Sequence, residues 1–225
     1  MAVARFKDLC IDATDPERLG RFWSAVLDRR WKPEKSVIVG ETRRHTVWIN
    51  QVPEAKSVKH RVHLDIYAER LEDLEDLGAT VVEPQHGKRT WTVMADPEGG
   101  EFCAFLRAPG GLPAERLHGL VVDCADHAAQ AEWWGRVYGA DVVHQPEGYS
   151  TVEHVEGMPI LTMDFVPVPE AKAVKNRVHW DVSVTAEGLD ALVASGATVL
   201  RPRDDEIVWH VLADPEGNEF CAFVD

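Results

Sequence analysis

The chain has 225 residues, a net charge of −14, 45% hydrophobic residues and eight tryptophans, which is enough for a packed core and unlike the composition of a disordered protein. Its acidic balance argues against nonspecific binding to nucleic acid or to an anionic membrane surface, both of which need a local excess of Lys and Arg. Charges interrupt the N-terminus before a signal peptide could form, and no apolar run approaches the ~20 residues of a membrane span, so a cytoplasmic location is expected.

In chain order, residues 5–12 alternate and predict a strand. Asp15 then supplies a helix N-cap with Pro16 at the first helical position. Leu19, Phe22, Trp23, Val26 and Leu27 form one buried helical stripe. Strands at 36–40 and 44–51 complete a first unit, which has room for one more short strand. A second unit opens with a strand at 61–67. It continues through a helix over 69–77, with Leu71, Leu74 and Leu77 on its apolar edge and Gly78 as its stop. Strands at 79–83, 90–95 and 101–106 follow.

The whole pattern then repeats. ADPEGGEFCAF (95–105) returns as ADPEGNEFCAF (213–223), and VPEAKSVKHRVHLD (52–65) as VPEAKAVKNRVHWD (168–181). LCIDATDPERLGRFWSAVL (9–27) likewise matches LVVDCADHAAQAEWWGRVY (120–138). A period near 110 residues is too long for a solenoid or propeller repeat, so each copy is expected to be a domain, 1–110 and 115–225, joined by the breaker-rich APGGLPAE (108–115). Cys10, Cys103, Cys124 and Cys221 form no C-x-x-C pair and are expected to be buried, reduced thiols.

Strand parity separates two faces. Val62, Leu64 and Ile66 alternate with Arg61, His63, Asp65 and Tyr67; Val178, Trp180 and Val182 alternate with Arg177, His179, Asp181 and Ser183. On the closing strand, Phe102, Ala104 and Leu106 suit the helix side, and Glu101, Cys103 and Phe105 the other. One face is core. The other is polar and nearly identical in both copies.

Tandem βαβββ units, an RVHLD strand and a closing DPEGNEF turn and strand resemble the vicinal oxygen chelate superfamily, nearest its glyoxalase-like and bleomycin-resistance-like branch. The resemblance implies an α+β fold of tandem duplicated domains, each made of paired βαβββ modules curling into a cup that binds a small ligand, often beside a divalent metal held by His and Glu. Modules of such proteins pair within a repeat or exchange between repeats, giving either a monomeric pseudo-dimer or a homodimer. Carried over residue by residue, the histidine ligand is His63 and His179. The opening-strand ligand falls at Asp8 and Gly119, and the closing-strand glutamate at Cys103 and Cys221. His118 is one register away and by parity points to the other face. A metal would therefore rest on Asp8, His63 and Cys103, or on His179 and Cys221. Cysteine suits zinc or copper but replaces a carboxylate poorly toward magnesium or manganese, so no cofactor is expected and a divalent metal is the alternative. In the plainer reading, both cysteines only pack the floor.

His179 and Asp181 form a His-x-Asp pair that would suit acid-base catalysis. Structurally, Arg61 with Asp65 and Arg177 with Asp181 would instead form ion pairs. The expected ligand-binding set is Trp48, His63, Asp65, Cys103, Asp164, His210 and Cys221. Within it, Asp164, His210 and Cys221 are expected to converge on His179 and Asp181. Trp48 shares parity with Thr46 and Asn50 and offers a planar ligand a stacking surface. The PEAK and VK(H/N)R segments make a positive loop that either meets an anionic ligand or is simply solvated. The expected function is binding of an organic small molecule, by sequestration or with metal-independent isomerase, lyase or hydrolase chemistry. The alternative is a divalent-metal lyase, isomerase or dioxygenase. A purely structural role would predict apolar fillers at 63, 65, 179 and 181.

Overall fold

A computed structural model describes residues 2–225. The first copy runs β1 (Ala4–Ala13), α1 (Pro16–Val26), β2 (Arg30–Lys32), β3 (Val37–Val39) and β4 (Val47–Gln51), then β5 (Val62–Ala68), α2 (Leu71–Asp76), β6 (Thr80–Glu83), β7 (Trp91–Ala95) and β8 (Glu101–Leu106). The second copy repeats this as β9 (Leu117–Cys124), α3 (His127–Tyr138), β10 (Asp141–His144), β11 (Ser150–Glu153) and β12 (Thr162–Pro167), then β13 (Val178–Val184), α4 (Ala186–Ala194), β14 (Thr198–Arg201), β15 (His210–Ala213) and β16 (Glu219–Val224). The short extra strand of the first unit is β2. Part of the segment expected as a strand at 44–51 is a 3-10 turn at Arg43–His45, and Leu77 caps α2 in an exposed position instead of packing.

The repeated DPEG phrase is a clamp on the start of each first helix. Asp96 Oδ1 accepts from the Glu98 and Gly100 amides at 2.9 and 2.8 Å, which folds the turn and aims the Glu98 carboxylate. That carboxylate accepts from the Thr14 and Asp15 amides at 2.9 and 2.7 Å, while the Asp15 side chain caps α1 through the Arg18 amide. Glu216 repeats the clamp on the Ala125 and Asp126 amides at 2.7 and 2.8 Å.

The modules are exchanged between copies. One eight-stranded sheet has the order β14-β15-β16-β13-β1-β4-β3-β2, and the other β10-β11-β12-β9-β5-β8-β7-β6. At the centre of the first, β1 pairs antiparallel with β13 from Ala4 opposite Val184 to Ile11 opposite Val178. At the centre of the second, β5 pairs with β9 from Val62 opposite Val122 to Ile66 opposite Leu117. Neither copy completes a sheet from its own strands.

The helices bind the two sheets into one core. Phe22 and Trp23 of α1 pack on Phe102 of β8, in the opposite sheet from β1. In the second copy Trp134 of α3 packs on Trp180 of β13 and Phe220 of β16 at 4.9 and 5.1 Å. The helix-borne tryptophans Trp23, Trp133 and Trp134 are thus core residues, which for Trp23 is what its helical stripe predicts. Among the described residues no helix is long and apolar enough to cross a membrane.

Candidate functional site

Each sheet carries a cluster of polar side chains on the face turned away from the core. In the sheet centred on β5 and β9, His63 and Asp65 of β5 meet Cys103 of β8. Cys103 Sγ lies 3.6 Å from His63 Nε2, and His63 Nε2 lies 3.6 Å from Asp65 Oδ1, beyond hydrogen-bond reach. Asp164 of β12 faces the same group across β9, where it stands opposite Val121. Gly119 makes room for Asp65, because a Cβ at 119 would sit 3.1 Å from the Asp65 Cβ. Burial dominates the electrostatics. It lowers His63 to about 4 and raises the Cys103 thiol. It also raises Asp65, with the Asp164 charge adding to the effect, and lifts Asp164 to about 6. Asp65 Oδ1 and Asp164 Oδ1 are both buried without a hydrogen-bond partner.

One wall of this site is aromatic. The His118 ring stacks on Tyr67 at 4.2 Å and 11°, and Phe105 meets it edge-on at 4.7 Å. Trp91 stacks on Phe105 at 5.5 Å. His118 therefore shares the polar face, contrary to the parity expectation. A β-bulge between Asp65 and Ile66 on one strand and Gly119 and Leu117 on the other inserts one extra residue and turns it.

The sheet centred on β1 and β13 holds the counterpart. His179 and Asp181 of β13 lie beside Cys10 of β1, and the ligand atoms of these three are all within 4.8 Å of one another, as are those of His63, Asp65 and Cys103. Cys10 Sγ donates to Asp181 Oδ1 at 3.6 Å, and Cys221 stands opposite Asp181 on β16. Trp48 stands opposite Cys10 on β4. Burial lowers His179 to about 4, raises Asp181 to about 6 and pushes up the Cys10 and Cys221 thiols. The equivalent bulge, between Phe6 and Asp8, admits Lys7 in place of His118. Its ammonium pairs with Asp8 at 2.5 Å and Asp181 at 3.7 Å and sits 4.0 Å over Phe223.

The exchange of modules redistributes the expected residues. Asp164 joins His63, Asp65 and Cys103, not His179. Asp8 joins His179, Asp181 and Cys221, so it completes no set with His63 and Cys103. His210 stands opposite Ala222, sharing the core-side parity of Leu212, and accepts at Nδ1 from the Arg203 amide at 3.4 Å. It lies outside both clusters. The Arg–Asp ion pairs do not form: Arg177 binds Glu98 at 2.7 Å, and Arg61 Nη1 donates to the Glu170 carbonyl at 2.6 Å. Sequence reasoning missed Cys10, taken only as a buried thiol, and Lys7. The alternation of Cys10 with the core residues Leu9 and Ile11 is the signal for the first; an inserted bulge residue gives none.

The raised Asp164 has a stability consequence. Its ordinary value is 3.8 and its folded value about 6, so the folded chain holds a proton there that the unfolded chain has released. That stabilisation is fully present below about pH 4 and is lost as pH rises through about 6. Asp164→Asn removes the dependence. At ~1.4 kcal/mol per unit, discounted for a partly exposed carboxyl, the variant gains about 2 kcal/mol on the native protein between pH 4 and pH 7. Denaturant titrations at both pH values measure it; an equal difference at both would refute the assignment.

A glyoxalase-like domain model matches the sequence twice, at residues 8–105 and 119–223. No curated protein matches it. Among solved structures, glyoxalase I from Zea mays is similar at 13% identity with a TM-score of 0.71, covering 98% of this chain and 92% of that one. A proposed dioxygenase from Bacillus subtilis is similar at 12% identity with a TM-score of 0.65, covering 98% and 85%. At such identities the likeness is one of fold.

Proposed function

We propose that this chain, which belongs to the glyoxalase-like domain family, binds a planar organic small molecule on the polar face formed by His63, Asp65, Cys103 and Asp164. The observation that carries the reading is the pair of buried, unpartnered oxygens, Asp65 Oδ1 and Asp164 Oδ1, beside an imidazole that burial keeps neutral. Buried polar atoms are normally satisfied, so two orphans on one aromatic-walled surface mark where ligand donors would sit. His118, Tyr67, Phe105 and Trp91 supply stacking area. The single chain, with its exchanged modules, would act as a monomeric pseudo-dimer with two unlike sites. In the second, Lys7 pairs with Asp8 and lies 3.7 Å from Asp181, and His179 with Asp181 is the pair for proton transfer.

A second reading rests on the donor sets. Cys10, His179 and Asp181, like His63, Asp65 and Cys103, bring N, S and O donors close enough to hold one cation, and the mixture fits zinc. The unpartnered Asp65 Oδ1 and His179 Nδ1 agree with that fit. Such an ion would act as a Lewis acid on a ligand oxygen.

Titration with 4-nitrocatechol, which is planar and carries adjacent oxygens, is expected to quench tryptophan fluorescence saturably. Asp164→Asn should weaken it about tenfold, or ~1.4 kcal/mol. Quenching unchanged in an Asp65→Asn, Asp164→Asn double variant would refute the binding site. Near-stoichiometric zinc in chelator-free protein, lost in His63→Ala and His179→Ala, would decide for the metal reading.

A further inference from the structure

The two segments that carry the chain from one sheet to the other, 52–61 and 168–177, line a cavity of about 750 Å³. Its volume lies within the roughly 300–1,000 Å³ of small-molecule sites. None of His63, Asp65, Cys103, His179, Asp181 or Cys221 lines it. The apolar part of its wall is built from equivalent positions of the two copies: Val52 with Val168, and Val58 with Val174. Val58 and Val174 are 48% and 42% exposed and present apolar surface to the cavity.

The charges on this wall are unlike those of the chain as a whole. Five Lys and Arg side chains face four carboxylates, in a protein of net charge −14. Four of the five cations are already held by carboxylates. Lys56 pairs with Glu101 at 2.8 Å, Lys59 with Asp123 at 2.6 Å, Lys175 with Asp12, and Arg177 with Glu98 at 2.7 Å. Arg61 is the exception. It is the counterpart of Arg177, yet among the described residues no carboxylate comes within 4.0 Å of it, and its Nε is buried without a partner. Arg61 Nη1 donates to the Glu170 carbonyl, but no carboxylate pairs with its charge, and such a cation beside Val58 and Val174 is half of an amphiphile site.

We propose that this cavity binds a monoanionic amphiphile, an apolar chain or ring bearing one carboxylate, with the carboxylate on Arg61 and the apolar body between Val58 and Val174. The planar fork of arginine matches a carboxylate. Asp123 and Glu170, which share the wall, disfavour a second negative charge. Because Glu98 occupies Arg177, a cavity with two equivalent halves takes one ligand.

Calorimetric titration of the full chain with octanoate and with 1-octanol tests this. Octanoate is expected to bind at one site per chain. Arg61→Gln should weaken octanoate at least tenfold and leave octanol unchanged, whereas Val58→Asp should weaken both. Asp65→Asn, on the polar face, should alter neither, which separates this site from the one proposed above. Melting temperatures show that each variant is folded; of the three substituted side chains, Val58 is exposed, Arg61 partly buried and Asp65 buried. Octanoate binding that is absent in the native protein, indifferent to Arg61→Gln, or lost in Asp65→Asn would overturn the proposal.

Discussion

Co-expressed as separate fragments, residues 1–110 and 111–225 are expected to purify as a tight one-to-one complex that survives gel filtration at roughly nanomolar concentration. The backbone between them is expendable, since residues 108–111 are exposed and Gly110 takes a positive φ of 75° in a turn. The contacts between the halves are not. The central ladder of each sheet joins one half to the other, β1 to β13 and β5 to β9. Arg29 adds a part-buried ion pair in which Nη2 donates to both carboxylate oxygens of Glu115, at 2.6 and 2.7 Å. Expressed alone, residues 1–110 keep β1 and β5 as long strands without their partners, a template for self-pairing. Such a fragment should dimerise or aggregate. Two folded monomers that ignore each other would refute the exchanged arrangement and restore the copies as autonomous domains.

What the sequence made legible were the local elements and the division between faces. Alternation placed Val62, Leu64 and Ile66 in the core and His63 and Asp65 outside it, and the Asp15 cap set the start of α1. Module pairing was illegible for a specific reason. β5 and β13 carry the same RVH-D pattern, so β1 meets the same code whichever it joins, and pairing strength alone cannot choose between them. The choice decides the site, because it sends Asp164 to His63 and Asp8 to His179. The bulges at Lys7 and His118 were hidden because parity counting assumes an unbroken pleat. His210 was misplaced because IVWHVL is apolar at both parities, which leaves the inward face undefined until the ladder to β16 is seen.

The largest effect of a single side chain is expected at Trp134. Its ring is fully buried and packs at 4.8 to 5.3 Å on Trp133, Tyr138, Trp180 and Phe220, and its Nε1 donates to Asp214 Oδ2 at 3.2 Å. Trp134→Ala opens a cavity at the junction of α3 and β13, at a cost of about 3–5 kcal/mol. Trp134→Phe keeps most of the packing but removes one donor from a buried carboxylate that also binds Gln130 and Asn218, a loss of about 1–2 kcal/mol. The alanine variant should also reach the His179 site, since Trp180 stands between His179 and Asp181 on the same strand. With Trp180 unsupported from below, β13 can shift and loosen the Cys10 contact to Asp181. Under native conditions, a thiol reagent should then label Cys10 and Cys221 ahead of Cys103, which lies on the other sheet. Denaturant midpoints give the stability change, and mass spectrometry of the labelled peptides gives the order. A stability loss under about 1 kcal/mol, or labelling of Cys103 first, would show that Trp134 does not support that strand.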